Sequence, residues 1–340
     1  MARPRRTATI VVVLAVVASV ALVAIPAAIA AFSARAQNEG DVVTAAPDFV
    51  APVITATVVA KSQGGTVGFV RKGGTYFVYA NVSPDTGNPA SGLATVKANA
   101  AEITTGQTEA ALTAGSYTVG GVTYNYRSAE LTASTTVEGA RTYSVTAQDN
   151  AGNARTANGT VTLDNVVPTA TDVQSANGGT TVGKPEEKDS ITFSFSEPIE
   201  PQSILAGWTG ASTNVVVRMV DNGLLGLPTG KDELFVYNAA NTAQLPFGAV
   251  NMGGGEYVTG LLGGTINFGA SGTKSTMVMS GNTVTITFGT QGAEGILVGP
   301  STTGGATTMV WSPAATPYDR AANVMSTATA TQSGGARKNF

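Results

Sequence analysis

The hydrophobic pattern of this chain has a period of two residues in its most regular stretches. The clearest of them runs from Tyr143 to Asp164. Apolar and polar side chains alternate from Tyr143 to Gln148, as in a half-buried strand. The sequence DNAGN from Asp149 to Asn153 predicts a tight corner, because Asp and Asn side chains bond nearby backbone groups and glycine accepts a positive φ. A second strand, Gly159 to Asp164, completes a strand–corner–strand unit.

A similar corner recurs near the end of the sequence, as DRAAN from Asp319 to Asn323. We interpret the two corners as the last corners of two consecutive β-sandwich domains. The predicted domains cover residues 50–166 and 167–331. Pro168 indicates a short, stiff junction between them, because it restricts the preceding residue to extended geometry. The predicted fold class is therefore all-β.

Two hairpins are predicted inside these domains. The second of them turns at Gly281-Asn282, and the first turns at Gly120-Gly121. A two-residue turn at Gly120-Gly121 pairs Val119 with Val122, Thr118 with Thr123 and Tyr117 with Tyr124. Pro201 to Gly207 predicts one helical turn, with proline at its start and glycine after its end. Residues 238–273 are glycine-rich and predict an elaborated loop, and residues 332–340 predict a short tail.

Residues 1–36 have the pattern of a targeting segment. Three arginines among the first six residues precede an uncharged stretch from Thr7 to Ala34, and Ala34-Arg35-Ala36 matches a small-x-small cleavage signal. The apolar run from Ile10 to Phe32 is also long enough to span a bilayer as a helix. The segment is therefore either a cleaved signal peptide or an uncleaved membrane anchor, and both alternatives place the body outside the cell. Residues 37–49 form a polar linker.

Composition excludes several kinds of chemistry. The chain has no cysteine and no histidine, which removes disulfides, Ser-His-Asp and Cys-His catalysis, and His-ligated zinc or iron. Its 41 glycines and its low charged fraction of 12% favour short strands joined by turns. All 22 acidic residues follow position 36, against 15 basic ones, and such an acidic body argues against nucleic-acid binding.

Two stretches carry a family resemblance. From Tyr143 to Asn153 the sequence matches Tyr-x-Val-x-Ala-x-Asp-x-Ala-Gly-Asn, which resembles bacterial Ig-like domains of secreted and surface-attached proteins. The stretch DSITFSFSEPI from Asp189 to Ile199 resembles the opening of Ig-like domains in S-layer-type surface proteins. The resemblance implies an exported Gram-positive protein of two Ig-like β-sandwiches, serving as a stalk, spacer, adhesin or envelope component. No LPxTG-like signal precedes Phe340, so we do not expect attachment by sortase.

The corner also suggests a metal site. In some adhesin repeats of this kind, acidic residues at the corner and linker bind calcium, so the resemblance implies Asp149, Asn153 and Asp164 as calcium ligands. Calcium takes about six to eight oxygen ligands, which carboxylates, amides and backbone carbonyls supply. The alternative is that Asp149 and Asn153 only bond the backbone of the turn. That alternative is favoured further for Asp319 and Asn323, since no domain follows them.

Three other patterns have both a functional and a structural interpretation. Glu197 and Glu200 resemble a glycosidase acid pair in spacing alone, and the prolines beside them favour a solvated loop. Trp208 and Trp311 are either a sugar-stacking platform or core residues, as tryptophans in sandwiches usually are. An isopeptide crosslink requires a buried lysine, asparagine and acid, for which the alternative is ordinary surface charge. Its candidates are Lys61 or Lys97, Asn158 or Asn165, and Glu102 or Glu130.

These patterns predict a non-catalytic, exported structural or adhesive protein at the bacterial envelope. Its expected partners are envelope components, other surface proteins and glycans, with membrane contact only through the N-terminal segment. The alternative function is an extracellular carbohydrate-binding module, with Trp208 and residues 238–273 as its contact surface. We expect no cofactor other than calcium, and no enzyme activity.

Overall fold

The computed structural model describes residues 36–38, 41–43, 48–87, 90–223, 230–261 and 263–340. Residues 1–35, which hold nearly all of the predicted targeting segment and its apolar helix, lie outside these ranges. The described part of the chain is all-β, as predicted, and its sheets are arranged in sandwich-like layers. The helix described, α1, is a single turn at Pro201–Ile204. Within the described ranges, no helix has the length and apolar character needed to cross a membrane.

The strands separate into two large sheets. We call residues 48–163 the first β unit, residues 168–340 the second β unit, and residues 164–167 the linking segment. Ahead of the first unit, β1 (Ala36–Asn38) and β2 (Asp41–Val43) form a small antiparallel pair. The strands of the first unit are β3 (Val53–Lys61), β4 (Phe69–Val70), β5 (Thr75–Ser83), β6 (Leu93–Asn99), β7 (Ala110–Val119), β8 (Val122–Ser128), β9 (Leu131–Thr132), β10 (Gly139–Asp149) and β11 (Ala154–Leu163).

The first sheet has the order β3-β5-β8-β7-β6-β10-β11-β4, with β9 paired to β5. Strand β7 belongs to both layers, because its first residues pair with β6 and the rest pair with β8. Alternate residues of β10 point into the core, where Tyr143, Val145 and Ala147 are each at most 4% exposed. They pack with inward residues of the other layer such as Tyr76 and Val78. The period-two pattern of the sequence therefore marks the buried face correctly.

The second unit contains the remaining strands. They are β12 (Ala170–Ala176), β13 (Ser190–Phe195), β14 (Thr213–Asp221), β15 (Glu233–Asn238), β16 (Ala249–Asn251), β17 (Val258–Thr259), β18 (Gly264–Phe268), β19 (Ser275–Ser280), β20 (Thr283–Thr287), β21 (Gln291–Glu294), β22 (Gly299–Pro300), β23 (Val310–Ser312) and β24 (Ala330–Thr331). Their main order is β12-β13-β20-β19-β14-β15-β16-β23-β24, and β18 pairs with both β14 and β21. The core is aromatic, with the Trp311 ring against Phe193 and Phe195 at centroid distances of 5.0 and 5.2 Å.

Both predicted hairpins form in the predicted register. Val119 pairs with Val122, and Tyr117 with Tyr124, around a turn in which Gly120 and Gly121 have φ values of 58° and 77°. The second hairpin pairs residues 280 and 283 around the other two-residue turn. Positive φ at both positions of the Gly120-Gly121 turn is the geometry that glycine permits and that matches the twist of the flanking strands, whereas in the second turn only Gly281 has a positive φ, of 59°. Local turn chemistry was therefore sufficient to fix these pairings.

Two segments differ from the prediction. Residues 238–273, expected as an elaborated loop, contribute the three short strands β16, β17 and β18 and place Phe247, Tyr257 and Phe268 in the core. Residues 332–340, expected as a tail, pack against the second unit, where Phe340 is 1% exposed and Asn339 is fully buried. Short strands interrupted by glycine do not produce the regular alternation on which the prediction relied.

Candidate functional site

The two corners of the sequence have the same hydrogen bonds. In the first, the Asn153 N–H donates to Asp149 Oδ1 at 2.8 Å and the Asn153 amide donates to Asp149 Oδ2 at 2.9 Å. In the second, Asn323 makes the same two bonds to Asp319, each at 2.8 Å. The fourth residue of each corner has a positive φ, with 91° at Gly152 and 74° in the second corner. The corners are thus one structural motif used twice.

Each corner contacts the segment that leads into its own β unit. The Asn153 amide donates to the carbonyl of Asp48 at 3.1 Å, and the Asn323 amide donates to the carbonyl of Asp164 at 2.9 Å. These two leading aspartates are followed four residues later by proline, in the shared pattern Asp-x-x-x-Pro. Each also accepts a bond from the N–H two residues ahead, at 3.0 Å in both cases.

A third acid completes each arrangement. Asp85 follows the end of β5 by two residues, and Glu197 follows the end of β13 by two residues. Both strands are antiparallel neighbours of the first long strand of their unit. The resulting groups bring carboxylate oxygens within 4.8 Å of one another. We call Asp48, Asp85 and Asp149 the first acidic cluster, and Asp164, Glu197 and Asp319 the second acidic cluster.

The first acidic cluster is deeply buried, since its three residues are 2–6% exposed. Bonds from the Ser91 side chain and from the N–H groups of Val50 and Ser91 hold the pKa of Asp48 below its usual value. Asp85 Oδ1 accepts the Gly87 N–H at 2.9 Å, but Asp85 Oδ2 is buried with no hydrogen-bond partner in the described segments of the chain. Neither ion pair found among the described residues involves these carboxylates. A buried carboxylate oxygen without a partner is costly, and either a proton shared with Asp48 or a bound cation would satisfy it.

In the second acidic cluster, three carboxylates lie close enough to repel one another. Burial, together with the charges of Asp164 and Asp319, raises the pKa of Glu197 to about 7. Burial also raises the pKa of Asp319, although the Asn323 bonds oppose the shift. Glu197 Oε1 is buried and has no hydrogen-bond partner in the part of the chain that the structure describes. Either a proton or a cation at this position relieves the repulsion between the three carboxylates.

The donor set of both clusters fits a hard divalent cation. Carboxylate oxygens are the ligands that calcium prefers, and oxygens of three carboxylates converge in each cluster. Cysteine and histidine, which softer metals favour, are absent from the chain. The unpartnered oxygens of Asp85 and Glu197 are the atoms that a bound ion would satisfy.

The structure divides the predicted calcium ligands between two places. Asp149 belongs to the first acidic cluster and Asn153 is bonded to it, whereas Asp164 belongs to the second cluster. The sequence pattern predicts a single site at the junction between the two units. Each corner instead faces the segment that precedes its own unit, so Asp319 has the same surroundings as Asp149. The repeated Asp-x-x-x-Pro pattern was the sequence signal for this arrangement.

The other candidate residues have different surroundings. Trp208 is 5% exposed and Trp311 is fully buried, so neither offers a stacking face to a sugar. Glu200 is 2% exposed and accepts the Thr66 N–H at 2.8 Å, whereas Glu197 belongs to the second acidic cluster. The two glutamates therefore have different partners. The candidates for an isopeptide crosslink also have separate partners. Lys61 donates to the carbonyls of Thr66 and Arg320, Lys97 pairs with Glu109, Asn165 bonds Glu138 and Lys72, Glu102 accepts from Thr142, and Asn158 and Glu130 are exposed.

No protein-family model matches this chain, and no curated protein matches it either. Its function is therefore inferred from the fold and from the two acidic clusters.

Proposed function

We propose that this chain is a non-catalytic, exported structural component of the bacterial envelope, built of two Ig-like sandwiches that each bind a calcium ion. The observation that supports this proposal is the repeat of one acidic arrangement in both β units. In each unit a leading aspartate, an acid after the second strand and a corner aspartate converge. A bound cation would tie the start of the unit to its last corner.

The role proposed for the ion is mechanical. Its ligands come from three segments distant in sequence, so the ion would close long loops and stabilise the folded unit over the unfolded chain. Within the second cluster, the leading aspartate lies in the linking segment, and the ion would join that segment to the second unit. A repeated unit that is fastened at its leading end suits a spacer that projects a surface from the cell.

Calcium binding is the first prediction. Titration calorimetry should find two sites in the wild-type protein and one site in each of Asp85→Asn and Glu197→Gln. Each filled site should stabilise the fold by about 2.7 kcal/mol at a calcium concentration 100 times its Kd, measured as a rise in Tm. Glu109→Gln is the matched control, because the Glu109 side chain is 71% exposed and pairs only with a surface lysine.

Two results would contradict the calcium proposal. One is a wild-type protein whose Tm does not respond to calcium or to chelation. The other is retention of both sites in the double variant Asp85→Asn, Glu197→Gln. Location at the envelope is tested separately, by protease shaving of intact cells followed by detection of the chain. Protection of the chain inside intact cells would overturn an exported structural role.

A further inference from the structure

A buried lysine lies where the two β units meet. Lys61 ends β3 in the first unit and is 4% exposed. Its ammonium donates to the carbonyl of Thr66 at 2.8 Å and to the carbonyl of Arg320, which belongs to the second unit. Burial lowers the pKa of Lys61, while the nearby charges of Glu200 and Asp319 oppose that shift. The buried ammonium therefore bonds a backbone carbonyl of each unit.

The second unit contributes a buried carboxylate to the contact between the units. Glu200 Oε2 accepts the N–H of Thr66 in the first unit, and its own N–H donates to the Tyr318 carbonyl at 2.8 Å. The approach is so close that a Cβ added at Gly65 would lie 3.0 Å from the Glu200 carboxylate. Beside it, the Arg320 guanidinium lies 5.8 Å from the centre of the Phe69 ring. The loop from residue 61 to 69 therefore fits against two loops of the second unit.

We propose that this contact, with Lys61 as its central residue, docks the second β unit onto the first and fixes them as one rigid body. The contact uses the Lys61 ammonium, the Glu200 carboxylate and backbone groups of residues 66 and 320. None of these atoms belongs to the three carboxylates of the second acidic cluster. The contact therefore uses atoms other than those that would hold a cation, so it does not rest on the calcium proposal, although Arg320 directly follows Asp319 in the same corner.

The linking segment supports the same arrangement from the side of the first unit. Asn165 donates its N–H and its amide to the Glu138 carboxylate at 3.1 and 2.9 Å, and it accepts the Lys72 N–H at 2.6 Å. The segment is thus fastened to the first unit before the chain enters the second. Replacement of Lys61 removes the ammonium's bonds to the two units and leaves this tether in place, which makes the lysine a specific target.

Distances between spin labels test the proposal in the full-length protein. The chain contains no cysteine, so Ser116→Cys and Ser271→Cys, both at exposed positions, place one label on each unit. We expect a narrow distance distribution in the wild type that chelation of calcium leaves unchanged. In Lys61→Met we expect the distribution to widen about twofold, as in domains that lack a fixed interface. Lys97→Met, which removes a surface ammonium from the same unit, should keep it narrow.

A second variant separates lost docking from lost folding. Glu200→Gln changes the other unit and should widen the distribution as Lys61→Met does. The double variant Lys61→Met, Glu200→Gln should have a narrower distance distribution than Lys61→Met alone, because it no longer leaves the buried Glu200 carboxylate without its counter-charge. A distance distribution in Lys61→Met as narrow as that of the wild type would overturn the proposal. Widening of the wild-type distance distribution on chelation of calcium would also overturn the proposal, because the cation would then hold the units together.

Discussion

At the scale of single residues, the buried acids differ in what stabilises their charge. Asp232 is fully buried in the second β unit, where its Oδ2 accepts the N–H groups of Tyr257 and Val258 at 2.8 and 3.0 Å. Its Oδ1 has no hydrogen-bond partner within residues 230–261 or the other described ranges. Burial, with a contribution from the charge of Asp221, raises the pKa of Asp232 from 3.8 to about 6. The charged carboxylate therefore opposes folding at neutral pH.

This shift predicts a pH dependence with a definite sign. Between pH 3.8 and about 6 the folded protein binds more protons at Asp232 than the unfolded chain does, so its contribution to stability falls as the pH rises through that window. Asp232→Asn should remove that fall and should have a higher Tm than the wild type at pH 7. The difference in Tm between the two proteins, followed by calorimetry from pH 4 to pH 7, isolates this group from the other carboxylates.

A matched exposed variant controls for the loss of one negative charge. Glu109→Gln should follow the wild-type curve across the same pH range, since its carboxylate is largely in solvent. A constant difference between Asp232→Asn and the wild type at all pH values would contradict the assignment. It would mean that Asp232 binds the same number of protons in the folded protein as in the unfolded chain at every pH.

The fourth position of the corner shows how backbone geometry and packing compete at one residue. Gly152 has a φ of 91° and is exposed, which suits a residue without a side chain. Ala322 has a φ of 74° at the same position, where a side chain costs conformational energy. Its methyl group is only 7% exposed, so burial offsets part of that cost. The two corners thus reach the same shape from different residues.

At the scale of elements, the last segment of the chain acts as part of the core. The Phe340 ring contacts Phe288 and Tyr257 at centroid distances of 5.2 and 6.3 Å. Its carbonyl accepts the Gly183 N–H at 2.8 Å. Phe340→Ala should destabilise the second unit by about 3 kcal/mol or more, as expected for loss of a buried ring. Urea denaturation followed by tryptophan fluorescence measures this, because both tryptophans lie in the second unit.

An exposed aliphatic residue gives the comparison for this truncation. Leu297 is 81% exposed, so Leu297→Ala should change the free energy of unfolding by less than about 0.5 kcal/mol. Equal, small effects of the two variants would show that residues 332–340 are a tail after all. A large effect of Phe340→Ala would confirm that they belong to the fold.

The elements that sequence analysis identified share one property, which is that local chemistry determines them. The hairpin at Gly120-Gly121 needs only a turn and matched neighbours, and the corner at Asp149 needs only its own side chains. By contrast, β16 and β17 have three and two residues. Their buried residues, Val250 and Val258, pack in the core of the second unit, and no pattern within so few residues reports this.

The acidic clusters were missed for a related reason. Asp48 and Asp149 are about one hundred residues apart, and only the path of the sheet brings them together. The sequence did contain a local part of each cluster, namely the corner and the Asp-x-x-x-Pro pattern. Which corner meets which leading segment depends on strand order, and strand order is not visible in spacing alone.

At the scale of the whole molecule, the two β units have different sheets, but in both of them the corner is bonded to the leading aspartate. The first sheet has nine strands and the second has eleven, yet each unit begins with a leading aspartate held by its last corner. Net negative charge makes such convergence of carboxylates unfavourable without a compensating cation. The contact between each corner and its leading aspartate is therefore the part of the molecule whose stability should depend most on solution conditions.

Hydrogen exchange tests this dependence across the whole chain at once. With calcium present, amides in residues 48–52 and 149–153 of the first unit should exchange more slowly than with a chelator, because the ion holds the leading segment against the corner. Residues 164–168 and 319–323 should show the same protection in the second unit. The hairpin at residues 117–126, remote from both clusters in sequence, should be unaffected and provides the internal control. Protection confined to one unit would mean that the two clusters, despite their shared geometry, do not bind the same ion.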